Sequence, residues 1–282
     1  MLLFEKNFDR IMKTILITGG TAGIGKALVS FFDKEGYRVL FTARNEAKAK
    51  TLLGELKNAS YYYMDYSNFS SVVKGVQNIQ RDVETLDVLI NNAGTWQMEF
   101  VETQDGIETN FAVNHLAPML LTLELLPLLN NRSRIVNTSS GAHRRNILNL
   151  SDLEFRKQPY NGVATYSQSK LCNLLFTLAL KKRLKNQPIT VNSVHPGYVK
   201  TELFNQMTTR DWTGVPDASQ GARSAVYAAL SMDLEGISGR YIYLEKEDSN
   251  LSPLALDETL AAQLWEQSLI YIQPFLTQKT SL

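Results

Sequence analysis

The sequence contains very few of the residues from which a disulfide or a metal site is built. Its 282 residues include one cysteine, Cys172, and three histidines, His115, His143 and His195. A single cysteine excludes an intramolecular disulfide, and so few histidines argue against a Cys/His metal site. Cys172 lies in an apolar run with helical spacing, and we interpret it as a small core residue.

An excess of charge of either sign is also missing. Lys and Arg total 29 and Asp and Glu total 28, which gives a formal net charge of +1. This balance gives no overall field that would attract nucleic acid or an acidic membrane surface. Hydrophobic residues make up 44% of the chain and charged residues 20%, as is typical of a globular protein. We therefore expect a small-molecule partner and no nucleic acid.

We identify no long hydrophobic run in the sequence. The first residues include Leu2, Leu3 and Phe4, but charged residues follow at once, which does not fit a signal peptide or a membrane span. We interpret residues 1–12 as an N-terminal extension, with Met12 as an alternative start. Elsewhere we expect no stretch long enough to span a membrane, and hence a cytoplasmic protein.

Short apolar runs alternate with helical patterns along the rest of the chain. The predicted strands are 14–17, 38–42, 61–64, 86–90, 134–138, 189–194 and 239–244. After a first helix that starts near Ile24 and is closed by Gly36, further helices are predicted at 46–57, 68–80, 106–130, 164–186, 218–232 and 257–271. This alternation predicts an α/β fold, namely one doubly wound Rossmann domain over 13–282. It would have a parallel sheet of about seven strands and helices on both faces.

A glycine-rich turn follows the first predicted strand. Residues 18–25 have the sequence T-G-G-T-A-G-I-G, in which Gly19, Gly23 and Gly25 are the spaced glycines. Glycine permits a tight turn and a close approach to a pyrophosphate, and the following helix N-terminus offers unpaired N–H groups. Strand, turn and helix together predict a dinucleotide site. The alternative is a tight turn that binds nothing.

The end of the second predicted strand indicates which dinucleotide binds. An acidic residue there would bind the ribose hydroxyl of NAD, but this position has no acid, and Arg44 follows at once. A guanidinium can bind a phosphate with two hydrogen bonds. The sequence therefore favours NADP(H). The alternative is a solvated arginine at the start of a helix.

Three further strand ends carry polar or small residues. Asp65 ends the third strand, where it could accept a hydrogen bond from adenine or cap the next helix; both interpretations are open. N-N-A-G follows the fourth strand at residues 91–94 and would let the chain pass close to a cofactor. Ser140 follows the fifth strand.

Pro118 falls inside the predicted helix 106–130. Because proline has no N–H, the carbonyl of Asn114 loses its usual partner, and we predict a kink there and an ordered water bound to that carbonyl. The irregular stretch 198–216 after the sixth strand is a candidate lid.

Tyr166 and Lys170 start the next predicted helix, four residues apart on one face. A nearby ammonium favours the phenolate and lowers the pKa of a tyrosine toward the working range, which suits proton exchange with a carbonyl or alcohol. Because strand ends meet at one edge of a parallel sheet, we expect Ser140, Asn114 and this pair to converge there. Ser140 would bind the substrate oxygen, Tyr166 would transfer the proton, and Lys170 would hold the nicotinamide ribose. Asn114, through its carbonyl and a water, would link Lys170 to solvent.

These motifs resemble the short-chain dehydrogenase/reductase family, in its retinol dehydrogenase-like and WW-domain oxidoreductase-like branch. The resemblance implies hydride transfer between NADP(H) and a carbonyl or alcohol, and a possible homo-oligomer. It implies Ser140, Tyr166, Lys170 and Asn114 as the catalytic residues. The implied cofactor residues are Gly19, Thr21, Gly23, Ile24, Gly25, Arg44, Asp65, Asn92, Ala93, Gly94, Tyr166, Lys170, Pro196, Gly197, Val199 and Thr201. The alternative is a non-catalytic NADP-binding regulatory protein.

Overall fold

An eight-stranded sheet forms the centre of the molecule. The computed structural model describes residues 12–205 and 213–277, and its strands lie in the order β3-β2-β1-β4-β5-β6-β7-β8. The strands are β1 Thr14–Ile17, β2 Arg38–Ala43, β3 Ala59–Tyr63, β4 Leu86–Asn91, β5 Leu129–Thr138, β6 Thr190–His195, β7 Tyr241–Tyr243 and β8 Lys246–Glu247. The first seven run parallel, and β8 pairs antiparallel with β7 at the edge. The predicted α/β class and parallel sheet are confirmed, with one short strand more than expected.

Helices cover both faces of this sheet. They are α1 Gly23–Lys34, α2 Glu46–Leu53, α3 Phe69–Asp82, α4 Thr109–Phe111, α5 Ala117–Leu125, α6 Gly162–Arg183, α7 Glu202–Asn205, α8 Ala218–Leu230 and α9 Glu258–Ile272. Short 3₁₀ turns occur at Leu126–Leu128, Gly141–Arg145, Met232–Leu234, Pro253–Leu256 and Gln273–Phe275. Side chains alternate along each strand, so Leu16 of β1 packs into one core while Ile15 and Ile17 pack into the other. The first core includes α3, α5, α6 and α9, and the second includes α1, α2 and α8.

The position of β1 determines where a ligand can bind. This strand pairs with β2 on one side and with β4 on the other, so the strand order reverses beside it. In open parallel sheets the crevice at such a reversal lies at the carboxyl ends of the strands and is the usual ligand site. The glycine turn follows β1 directly and therefore lies at this crevice.

The predicted helix 106–130 is wrong at both ends. A π-helical segment, Ala112–Leu116, lies between α4 and α5, and the Ala117 N–H donates to the carbonyl of Ala112. The hydrogen-bond register thus changes just before Pro118, while the predicted kink and the predicted water at Asn114 stay predictions. Strand β5 begins at Leu129, where pairing with Leu86 of β4 overrides the helical pattern.

The helical stretch Thr109–Leu128 is long and apolar enough to resemble a membrane span. Within the described residues it is the one helical stretch with the length and composition of a membrane span, at a mean hydropathy of 1.4. In this fold 78% of that apolar window is buried inside the molecule, which is the pattern of a core helix. The expectation that no stretch reaches this length is therefore wrong.

Two predicted segments lie partly outside the described residues. Of the N-terminal extension 1–12, only Met12 is described, and residues 206–212 of the candidate lid 198–216 also lie outside. The described part of the candidate lid includes α7, which begins at Glu202, directly after Thr201.

A chain of buried polar side chains joins three central strands to α5 and α6. The amide of Asn91 donates to Thr122 and to Asn137, and the Asn137 amide donates to the hydroxyl of Thr177 at 2.9 Å. Thr177 also shares a hydrogen bond of 2.7 Å with Ser193 of β6. Each buried polar atom would cost free energy if unpaired, so this chain fixes the helices against the sheet near the strand ends.

We predict that Thr177→Val lowers the free energy of unfolding by about 1–3 kcal/mol. Valine keeps the shape of threonine but leaves the Asn137 amide and the Ser193 hydroxyl without their shared partner. Urea denaturation measures the change. The control is Thr51→Val, because the Thr51 hydroxyl is exposed on α2 and bonds only the Ala47 carbonyl, and we expect a change within about 0.5 kcal/mol. Equal effects of the two substitutions would contradict the role given to Thr177.

Candidate active site

A cleft of about 350 Å³ opens at the carboxyl ends of β1, β4, β5 and β6. All the predicted cofactor residues line it, from Gly19 in the glycine turn to Thr201 before α7. Ser140, Tyr166 and Lys170 line it as well, whereas Asn114 lies behind the wall. The structure therefore brings together residues that are more than 140 positions apart in sequence.

The glycine turn has a backbone conformation that favours glycine. Gly19 and Gly23 have φ angles of +67° and +48°, in the left-handed region that favours glycine. A Cβ on Gly25 would lie 2.0 Å from the Gly19 carbonyl oxygen. The Thr18 hydroxyl accepts hydrogen bonds from the backbone N–H groups of Asn92 and Ala93, which joins the turn to the loop after β4.

The N-terminus of α1 differs from those of the other long helices that begin in a loop. Side chains cap those helices, namely Asn45 for α2, Asn68 for α3, Asn161 for α6, Asp217 for α8 and Asp257 for α9. The cap position of α1 is Ala22, which supplies no side-chain hydrogen bond, and the first turn contains no acidic residue. The backbone N–H groups and the positive end of the helix dipole thus face the cleft, as an anionic phosphate requires.

Arg44 and Asp65 line the part of the cleft that follows β2 and β3. Arg44 is exposed, and within the described residues it takes part in no salt bridge. Oδ1 of Asp65 accepts hydrogen bonds from the backbone N–H and hydroxyl of Ser67. Asn68, and not Asp65, caps α3, so the capping alternative for Asp65 is wrong. Asp65 remains a candidate for an adenine contact.

Ser140 is held with its hydroxyl toward the cleft. Its Oγ accepts a hydrogen bond from the Ala142 N–H at 3.2 Å, and its carbonyl accepts one from Nδ1 of the buried His143 at 2.6 Å. Burial lowers the pKa of His143, which favours the neutral ring. Because Ala142 supplies a donor, the hydroxyl proton of Ser140 is available for another acceptor.

Helix α6 brings Tyr166 and Lys170 to the same place. The Ser139 hydroxyl donates to the Lys170 carbonyl at 2.7 Å, and the Asn173 amide donates to the Thr138 carbonyl at 3.0 Å. These bonds attach α6 to the end of β5 immediately before Ser140. Nζ of Lys170 lies 5.5 Å from the centroid of the Tyr166 ring.

Burial dominates the electrostatics of this pair. Tyr166 is 4% exposed and Lys170 is 3% exposed. Burial raises the pKa of Tyr166 to about 12, and a hydrogen bond with Ser140 offsets part of that rise. Burial also lowers the pKa of Lys170 to about 8. We expected the pKa of Tyr166 to be lowered, and the structure indicates that it is raised. Loss of hydration is the dominant effect on this buried phenol, and the neighbouring Lys170 is itself desolvated.

The side chain of Asn114 has a role that the sequence did not reveal. Its Oδ1 accepts from the Thr95 N–H at 2.7 Å, and its Nδ2 donates to the Thr95 carbonyl at 2.9 Å and to Ser169. Asn110, one turn earlier, binds both backbone groups of Gln97 in the same way. The sequence signal for this role was a pair of asparagines four residues apart.

Among the described residues, no group of three or more His, Cys, Asp or Glu could hold a metal ion.

Comparison with known proteins agrees with this geometry. The sequence profile of the family described as short chain dehydrogenase matches residues 13–212. Human retinol dehydrogenase 14 is 36% identical over 294 residues, covering 92% of this chain and 86% of that protein. Human polyprenol dehydrogenase is 33% identical over 288 residues, covering 94% of this chain and 86% of that protein.

Solved structures show the same fold. An uncharacterised protein from Mycobacterium paratuberculosis is 33% identical with a TM-score of 0.79, covering 93% of both chains. A short chain dehydrogenase from Burkholderia cenocepacia J2315 in complex with NADP is 25% identical with a TM-score of 0.66, covering 83% of this chain and 96% of that one. With a profile match over more than half of its length and close to complete alignment with relatives, this chain belongs to the short-chain dehydrogenase/reductase family, in its retinol dehydrogenase-like branch.

Proposed function

We propose that the protein is an NADP(H)-dependent oxidoreductase that interconverts a carbonyl compound and its alcohol. The observation that carries this proposal is that Ser140, Tyr166 and Lys170 share one cleft with a glycine turn and an uncapped helix N-terminus. A nicotinamide cofactor bound there would supply or accept the hydride. The chain's own groups would then need only to bind the reacting oxygen and move one proton.

Ser140 and Tyr166 are arranged to act on the substrate oxygen. Ser140 has a hydroxyl proton to donate, and Ser140 and Tyr166 line the same cleft, so both hydroxyls are placed to bind one oxygen. With a pKa of about 12, Tyr166 is protonated at neutral pH, and this is the form that donates a proton to a carbonyl oxygen as the carbon is reduced.

Lys170 would hold the nicotinamide ribose beside Tyr166. Its Nζ approaches Gly94, where a Cβ would lie 3.4 Å from Nζ and 3.1 Å from Oδ1 of Asn114. Within the described residues no carboxylate pairs with Nζ, so its hydrogen bonds are available to ligand hydroxyls. Asn114 would complete the proposed proton relay, because its backbone carbonyl and a bound water would link Lys170 to solvent.

Arg44 favours NADP(H) over NAD(H). The residue at the end of β2 is the buried Ala43, so no carboxylate there would repel a 2′-phosphate. Arg44 offers a planar set of donors at the edge of the cleft. The nearby Lys48 forms a salt bridge of 3.5 Å with the cleft-lining Glu202, so Arg44 is left as the unpaired positive charge on this side among the described residues.

An apolar rim favours a lipophilic carbonyl or alcohol. Met98, Phe100 and Val101 follow the cleft-lining Gln97 and are exposed, and Tyr198 is exposed between the cleft-lining Gly197 and Val199. Retinol and polyprenol, the alcohols in the names of two relatives, are both apolar. A non-catalytic NADP-binding regulator would need no buried proton donor, so the Tyr166 geometry favours an enzyme.

We predict that Tyr166→Phe lowers turnover about 10²–10⁴-fold, because the variant keeps the ring and loses only the proton donor. The measurement is NADPH oxidation with a panel of aldehydes and ketones, together with NADPH binding followed by nicotinamide fluorescence. Binding should remain close to wild type. Tyr227→Phe, which removes an exposed hydroxyl on α8, is the control and should stay active. Normal turnover in Tyr166→Phe would rule out the proposed mechanism.

We predict that Arg44→Asp weakens NADPH binding about 10–100-fold more than NADH binding, because only NADPH carries the phosphate that the guanidinium would bind. Dissociation constants of both cofactors are measured on the same preparation. Lys50→Asp makes the same charge change on α2 outside the cleft, and should affect the two cofactors alike. If Arg44→Asp weakened both equally, the 2′-phosphate assignment would be lost while the enzyme assignment stood.

A further inference from the structure

One face of the proposed proton donor is covered by an indole ring. The rings of Trp96 and Tyr166 are parallel within 2°, and their centroids lie 3.8 Å apart. Aromatic pairs usually prefer offset or edge-on arrangements with centroids roughly 4.5–7 Å apart. So close and parallel a stack indicates that the surrounding structure holds both rings in place.

Two buried asparagines hold the backbone on either side of Trp96. Asn114 makes two hydrogen bonds to the backbone of Thr95, and Asn110 makes two to the backbone of Gln97. Both asparagines are fully buried. Because residues 95 and 97 both direct their backbone groups to these amides, the orientation of Trp96 between them is fixed.

The indole is also bonded to the helix that carries Tyr166. Nε1 of Trp96 donates to the carbonyl of Gly162, the first residue of α6, at 2.9 Å. A Cβ on Gly162 would lie 2.4 Å from both the Gln97 carbonyl oxygen and the Cα of Met98. The loop and the helix therefore meet at a contact that only glycine allows, and the indole is hydrogen-bonded across this contact to the first residue of α6.

Nothing can enter between the two rings, because 3.8 Å is van der Waals contact. The residues on both sides of Trp96, Thr95 and Gln97, line the cleft together with Tyr166. A carbonyl that accepts a hydrogen bond from the Tyr166 hydroxyl therefore meets a phenol ring that the indole behind it holds in one position.

We propose that Trp96 is a positioning residue: by filling the space against one face of the Tyr166 ring it holds the Tyr166 hydroxyl in one place, and so fixes which of two orientations an unsymmetrical substrate adopts. This inference rests on the proposed carbonyl reduction. An unsymmetrical ketone with its oxygen held by Ser140 and Tyr166 can bind in two orientations that exchange its substituents. The two orientations present opposite faces to the hydride and give opposite enantiomers of the alcohol. Trp96 would thus set the stereochemical outcome.

The test is the enantiomeric ratio of the alcohol formed by the full-length protein with NADPH. The substrates are acetophenone and a series of alkyl methyl ketones. Aldehydes are tested with cofactor deuterated at the transferring position, which makes the alcohol carbon stereogenic. We expect Trp96→Ala to lower the ratio about tenfold, since the vacated space lets the Tyr166 ring shift and the substrate then adopts both orientations. Trp96→Phe, which keeps a stacked ring, should retain a ratio close to wild type.

Three controls separate this role from general loosening of the structure. Trp265→Phe alters another buried tryptophan, which stacks on Phe176 away from the cleft, and should leave the ratio unchanged. Trp96→Leu is an apolar variant of intermediate size for use if Trp96→Ala does not fold. NADPH affinity should be unchanged in all Trp96 variants, because Trp96 does not line the cleft.

The outcomes distinguish the inference from the proposed function. A wild type that binds NADPH but reduces no carbonyl compound would overturn both. An active wild type with a Trp96→Ala variant of equal enantiomeric ratio would overturn only the role of Trp96. An equal loss of selectivity in Trp265→Phe would overturn it as well, since the effect would then be general.

Discussion

The attachment of helix α6 to the end of strand β5 is the constraint on which the site depends. Ser139 and Asn173 form the two bonds, each joining a side chain to a backbone carbonyl of the other element. The Ser139 N–H also bonds the Val194 carbonyl of β6, so the strand end cannot shift alone. Because Ser140 follows Ser139, and the Lys170 carbonyl lies one turn after Tyr166 on α6, the Ser140 and Tyr166 side chains keep one relative geometry.

The two ends of the cleft present different kinds of chemical group to a ligand. At the end beside α1 the groups that face the cleft are backbone N–H groups of an uncapped helix and a glycine turn, which carry no titratable charge. At the reacting end they are buried side chains whose pKa values burial has moved, upward for Tyr166 and downward for Lys170. The first arrangement suits tight binding of an anion, and the second suits movement of a proton in a water-poor site.

Two asparagine side chains hold the loop beside Tyr166 in place. Asn114 was expected through its carbonyl, yet its amide is fully engaged in holding the loop at Thr95. Asn110 repeats this bond pattern at Gln97 and also bonds Thr165 of α6. Because Asn110 and Asn114 are four residues apart, they lie on the same side of their helix and bind the loop at two points, Gln97 and Thr95. The side chain between these points, Trp96, stacks against Tyr166.

By itself the sequence determined the features that depend on neighbouring residues. The alternation of apolar strands with amphipathic helices predicted the parallel sheet, and the glycine turn and the Tyr166–Lys170 pair were visible as local motifs. Local patterns could not show that β5 begins at Leu129 or that β8 adds an edge strand, because pairing between distant strands decides both. Only the tertiary structure decided the pKa direction of Tyr166 and its stack against Trp96. Burial and ring contact arise where segments 70 residues apart meet, and no short-range pattern encodes that meeting.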